Sequence, residues 1–202
     1  MKRLNPAIRM ISSAALAVAL SACTEGTGSS MGGAAQPAHD GAEPARTAAA
    51  AAPPASAIEA QEQKNLATFD YLDYNVFSNA KWDELSHSHA KDVIVHWPDG
   101  HITKGIDVHI EDLKKMFVYA PDTRIKHHEH KIAQGNFSAV SGAMEGTFTK
   151  PMPTADGQEI QPTGKAFKLP MATIGRWENG VMQEEWLFWD NQTYMTQLGL
   201  AK

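Results

Sequence analysis

Apolar and polar residues recur along this chain with two different periods, and the switch between them divides it. Leu66, Phe69, Leu72 and Val76 return at helical spacing, and Ser56 followed by Glu59 fits a capping box, so residues 57–79 read as an amphipathic helix. NAKWDELSHSHA (79–90) reads as a shorter second helix with Trp82 and Leu85 inward. DVIVHW (92–97) is a strand, PDG (98–100) a turn and HITK (101–104) a short returning strand. Residues 106–119 form a third helix, with Ile106, Ile110, Leu113 and Phe117 on one face. Beyond Pro121 the runs become strand-like. TRIKHHEHKIAQ (123–134) and FSAVSGAMEGTFTK (137–150) flank the turn at 135–136, and a loop follows over 151–164. KAFKLPMATIGRW (165–177) and VMQEEWLFWD (181–190) flank ENG (178–180), and a short helix or coil closes the chain at 191–199. Three helices followed by four long strands predict an α+β fold, with the helices on one face of a curved, mostly antiparallel sheet. Such a sheet can curl around a pocket.

The first residues follow a different pattern. Lys2, Arg3 and Arg9 precede MISSAALAVAL (10–20), an apolar stretch too short for a permanent membrane span. It reads as the hydrophobic region of an export signal over 1–22. It ends in LSAC (20–23), which resembles a bacterial lipobox and marks Cys23 for lipidation; an ordinary signal cut nearby is the alternative. Cys23 is the only cysteine, so neither a disulfide nor thiolate chemistry is expected elsewhere. Residues 23–57 are rich in Ala, Gly, Pro, Ser and Thr without an apolar period, and read as a disordered tether with a reach of roughly 30–35 Å. The folded domain is then 58–202, lipid-anchored to the bacterial cell envelope on its periplasmic or outer side. The chain carries a formal charge of -5, which argues against a nucleic-acid partner.

DVIVHWPDG (92–100), PTGK (162–165), WENGVMQEEW (177–186) and DNQTYMTQLG (190–199) together resemble the SnoaL-like polyketide cyclase, or ester cyclase, family. The resemblance runs from about residue 65 to the end. It implies the cone-shaped fold of the nuclear transport factor 2 superfamily, a pocket between helices and sheet for a small-molecule substrate, and no metal or organic cofactor. It also implies an aspartate acid/base in an E-x-W-x-x-x-D stretch, which falls on Glu184, Trp186 and Asp190.

Strand alternation puts Glu184, Trp186, Phe188 and Asp190 on one face. If that face lines the pocket, aromatic neighbours desolvate Asp190 and raise its pKa, as suits a general base. The competing reading is that Asp190 caps the terminal helix. Glu184 is too far along the strand to share a proton with Asp190; it is a second site or, preferably, half of an ion pair. His96, beside Trp97, is either a donor to a developing enolate oxygen or a structural histidine. Trp97, Trp186, Phe188 and Glu184 are the candidate substrate contacts. His87, His89, His96, His101 and His109 crowd one segment and His127, His128 and His130 another, which raises a metal site as a rival. No His-Glu-x-x-His pattern supports it, and His128 with His130 is the one pair of the second group on a shared strand face. Phe137, Met144, Phe148, Phe167, Leu169, Met171 and Trp177 read mostly as core, with pocket lining the alternative for a few of them. The resemblance implies pairing through the outer face of the sheet, and aromatics on both strand faces, Trp186 against Trp189, suggest that both faces are covered, so a homodimer is expected. The expected activity is acid/base cyclisation or isomerisation of a small apolar carbonyl compound with Asp190 as base. The alternative is a domain that binds a ligand or partner without chemistry.

Overall fold

The computed structural model describes residues 54–201. The expected export signal, the lipidation site at Cys23 and nearly all of the tether lie outside the described residues. Among the described residues no helix is long and apolar enough to cross a membrane.

Helix α1 (Ala55–Tyr71) starts one residue ahead of Ser56, behind Pro54 at φ -62°, and no side chain caps it. The capping box is therefore not formed: proline presets the dihedral angles of the first turn instead. The helix does not end at Tyr71. It widens into a π turn over Leu72–Val76 and tightens into a 3-10 turn over Phe77–Asn79, closed by Ala80 at φ 51°. Leu66, Phe69, Leu72 and Val76 are buried as the spacing predicts, and Phe69 packs edge-on against Trp177 with ring centres 5.5 Å apart. Residues 82–87 form a 3-10 helix rather than an α-helix, with Leu85 fully buried. A segment this short gains little from α geometry.

Strand β1 (His89–His96) begins three residues earlier than its apolar run, because it pairs with β8 (Val181–Trp189) from His89 onward. Strand β2 (Ile102–Lys104) and helix α2 (Ile106–Tyr119) lie where the sequence puts them. The long strands are β3 (Arg124–Gln134), β4 (Phe137–Thr147), β7 (Ala166–Glu178) and β8. The expected loop holds a two-residue hairpin, β5 (Met152–Pro153) and β6 (Glu159–Ile160). The β7–β8 turn uses Asn179 at φ 52° and Gly180 at φ 82°, the left-handed pair that a tight hairpin needs. Helix α3 (Asn191–Leu198) follows β8.

The six-stranded sheet has the order β2-β1-β8-β7-β4-β3. All neighbours are antiparallel except β1 and β8, which bring the first and last strands side by side. One face buries Val140, Met144, Phe167, Leu169, Met171, Trp177 and Met182 against α1, α2 and α3. This is the expected α+β layout, a curved, unclosed sheet covered by N-terminal helices.

Candidate active site

A cavity opens between this sheet face and the helices. Its walls are largely apolar: Leu72, Phe77, Leu113, Met116, Ile125, Met144, Leu187, Trp97 and Trp189 all contribute. Atom-free space in it amounts to about 540 Å³, part of it open to solvent, and about 50 Å³ admits the centre of a water molecule. It is a narrow site that suits a small ligand. Five polar side chains line it: Asp73, His89, His109, Thr173 and Glu185.

Asp73 stands in the π turn, where the extra residue per turn re-aims the helix; such turns recur at functional sites. It shares the buried stripe with Phe69 and Val76 and is 7% exposed. Behind it lies His128, whose Nε2 is 2.7 Å from Asp73 Oδ2 and whose Nδ1 is 2.9 Å from Asp70 Oδ1. Lys131 Nζ donates to the other oxygen of Asp70 at 2.8 Å. Both nitrogens of a buried imidazole thus face carboxylates, so the three groups together hold two protons. Either the ring is an imidazolium, or one carboxyl is neutral. Burial raises the pKa of Asp73, against the opposing pull of His128. Burial alone would lower His128, but its bonds to Asp73 and Asp70 outweigh this and raise it. The row Asp73–His128–Asp70–Lys131 runs from the cavity wall to the surface.

Strand β3 would not present His128 this way if it were regular. Its pairing with β4 shifts on both sides of His128, a bulge that turns this ring inward while His130 stays exposed and bonds Ser141 Oγ at 3.2 Å. The expected shared face of His128 and His130 is therefore not found.

The second polar group joins three elements. His89 opens β1, His109 lies on the buried face of α2 with Leu113 and Met116, and Glu185 sits in the middle of β8; they are 2%, 2% and 4% exposed. Glu185 Oε2 is 3.6 Å from His89 Nε2 and 3.4 Å from His109 Nε2. These are ion-pair separations rather than good hydrogen bonds. Burial pushes Glu185 up, yet the two histidines overcome it and hold the carboxyl below its ordinary range. Burial drives His109 down to about 4, so its ring is neutral near pH 7.

The residues singled out in the sequence fall mostly on the other side of the sheet. Glu185, Leu187 and Trp189 face the cavity, so Glu184, Trp186 and Phe188 face outward. Apolar side chains on both faces of β8 left its orientation open, and the parity assumed from Asp190 is the wrong one. Glu184 forms the ion pair favoured for it, accepting from Arg176 Nε at 3.3 Å and lying 2.8 Å from His96 Nε2. His96 stacks on Trp186 with ring centres 5.1 Å apart and does not reach the cavity. Trp97 does line it.

Asp190 is exposed. It is the N-cap of α3, its carboxylate accepting from the Thr193 backbone N–H, which holds its pKa below the ordinary value. The raised pKa expected of a desolvated base is thus corrected to a lowered one, and the helix-cap reading describes its geometry. Asp73 and His109 were legible, in principle, as polar residues on otherwise apolar helix stripes. Glu185 and the inward turn of His128 were not.

Comparison with known proteins places this geometry in a family. The sequence pattern of the SnoaL-like polyketide cyclases matches residues 71–198, more than half of the chain. A protein of Jannaschia sp. CCS1, a candidate SnoaL-like polyketide cyclase, is 17% identical, with 69% of this chain and 94% of that one covered at a TM-score of 0.60. IdmH of Streptomyces antibioticus, a candidate polyketide cyclase, is 22% identical, with 67% and 98% covered at 0.57. A Catenulispora acidiphila protein with a ketosteroid isomerase-like fold, solved with trimethylamine, is 14% identical, with 67% and 92% covered at 0.53. Likenesses at such identities speak to the fold alone. No curated protein matches. The chain belongs to the SnoaL-like polyketide cyclase family.

Proposed function

We propose that the cavity binds a small, largely apolar carbonyl compound and that Asp73 moves a proton at the carbon next to that carbonyl, leading to cyclisation or isomerisation. One observation carries this reading: Asp73 is the carboxylate of the apolar cavity that has a buried imidazole directly behind it. Burial makes Asp73 a stronger base than a solvated aspartate, and its bond with His128 favours the ionised form. The proton taken from carbon gives a neutral carboxyl and an enolate. The enolate oxygen is stabilised by a ring N–H of His109, which lines the same cavity and whose buried Nδ1 has no hydrogen-bond partner among the described residues. The proton returns to the product, or leaves by way of His128 and Asp70. Asp190, expected as the base, has no part in this scheme.

The test is deuterium exchange next to the carbonyl of small cyclic ketones and β-keto esters, followed by NMR. Asp73→Asn should lower exchange by about 10²–10⁴-fold while quenching of tryptophan fluorescence by the ketone persists. Exchange as fast in Asp73→Asn as in the wild type would remove the assignment. Binding without exchange in the wild type would favour a ligand-binding domain without chemistry.

From the sequence we also read an exported, lipid-anchored protein and a homodimer paired through the outer sheet face, where Trp186 is flanked by the exposed Phe188 and Phe137. Cys23→Ser should abolish lipid labelling. Light scattering of the domain should give twice the chain mass, and a monomer at micromolar concentration would contradict the pairing.

A further inference from the structure

We propose that His89, His109 and Glu185 form a binding site for one divalent transition-metal ion, with the remaining coordination positions open to the cavity. All three side chains are at least nine-tenths buried, and one ligand atom from each lies within 4.8 Å of the other two. His89 Nε2 and Glu185 Oε2 are buried with no hydrogen-bond partner among the described residues. Leaving two such groups unmade is costly in an apolar wall, and a cation between them satisfies both.

The tautomer of His89 strengthens the case. Ser88 Oγ donates its hydrogen to the Leu85 carbonyl at 3.1 Å and lies 2.9 Å from His89 Nδ1. Its one proton is thus committed, so Ser88 accepts from Nδ1–H. With the ring proton on Nδ1, an uncharged ring would carry its lone pair on Nε2, 3.6 Å from a carboxylate oxygen. Two lone pairs facing each other at that distance repel. Ligands held ~2.0–2.1 Å from a tetrahedral ion stand ~3.4 Å apart, close to the observed 3.4 and 3.6 Å. Two imidazoles and one carboxylate suit zinc or another first-row divalent ion. Ser88 is the orienting partner that ligating histidines usually have. On the α2 side, Asp112 lies one turn beyond His109, and its buried Oδ2 has no hydrogen-bond partner among the described residues.

The three ligands come from β1, α2 and β8, elements fixed by the sheet and core, so little ordering accompanies binding. Trp97, Leu113, Leu187 and Trp189 wall the open side. The site stands independently of the proton-transfer reading. Its role rests on that reading: an ion here would polarise the substrate carbonyl as a Lewis acid, with Asp73 on the wall of the same cavity.

The experiment uses untagged full-length protein, dialysed against chelator and titrated with Zn²⁺ by calorimetry, with thermal unfolding in parallel. One equivalent should bind and raise the unfolding temperature. His89→Gln and Glu185→Gln should each weaken binding by at least about 100-fold, and Ser88→Ala by about 10–100-fold. His127→Gln with His130→Gln, both on the exposed edge of β3, should leave it unchanged. Should His89→Gln or Glu185→Gln fold poorly, Co²⁺ absorption of the wild type and Ser88→Ala decides: intense visible bands altered by Ser88→Ala place the ion here. No stoichiometric binding, or binding lost only in the β3 edge variant, overturns the site. Asp73→Asn should still bind Zn²⁺. Ketone exchange that survives in chelated wild type, together with absent Zn²⁺ binding, removes the metal inference and leaves Asp73 as base.

Discussion

Asp190 and Glu185 lie on one short segment, yet the protein holds their charges by opposite means. Asp190 keeps its hydration and adds the Thr193 N–H, a local bond that any N-cap aspartate makes. Glu185 has lost its water and depends on two imidazoles drawn from elsewhere in the chain. The same substitution therefore has different reach at the two positions. Asp190→Ala should lower the urea midpoint modestly, Asp190→Asn should restore most of it, and neither should change ketone exchange. An Asp190→Asn variant that folds fully but loses exchange would return Asp190 to the chemistry.

At the scale of elements, the irregular ones build the site. The π turn aims Asp73, and the bulge in β3 aims His128 at it. Gly142 sits opposite the bulge, and a Cβ there would come within 2.6 Å of the His127 carbonyl oxygen. Backbone cannot yield as a side-chain tip does. Gly142→Ala should cost about 1–3 kcal/mol in chemical denaturation and shift the His128 ring resonances. An unchanged His128 titration would show that the bulge tolerates the methyl. This also explains how far the sequence could be read. Helices α1 and α2 and strands β4 and β7 follow from periods of 3.6 and 2, because each buries one stripe, whereas β3 and β8 are legible as strands but not in which face they bury. Period arguments fail where the period breaks, at the π turn and the bulge. They also fail where both faces of a strand are apolar, as in β8, so the pocket-facing set was assigned one residue out of step. The family resemblance fixed the fold but could not correct that parity.

For the molecule as a whole, the buried row at His128 sets how stability depends on pH. The His128 ring faces Asp70 and Asp73, its backbone N–H donates to the Tyr74 hydroxyl, and Lys131 lies beyond Asp70. Its pKa is raised in the folded state, so its contribution is fully present below about pH 6.5 and is lost as pH rises through the folded value. Asp70 is displaced the other way: burial pushes it up, but Lys131 and His128 together hold it lower, so its share is lost only in acid. Above about pH 7, where His109 is neutral in both states, urea midpoints should therefore fall towards pH 9 in the wild type, and His128→Gln should flatten that decline. A wild type with no decline would mean that the ring is neutral throughout.

The parallel pairing of β1 with β8 also sets a timetable for assembly. Strand β8, the last of the described strands, is not an edge; it is inserted between β1 and β7, in the interior of the sheet. Until it arrives, β1 has only the short β2 to pair with, and His89 and His109 have no carboxylate between them. Contacts this distant along the chain form late and slowly. A chain lacking residues 181–190 can close neither its sheet nor its cavity, so the domain stays open to chaperones until β8 is made. Chains ended at residue 180 should accordingly show no cooperative unfolding transition, whereas chains ended at 199 should.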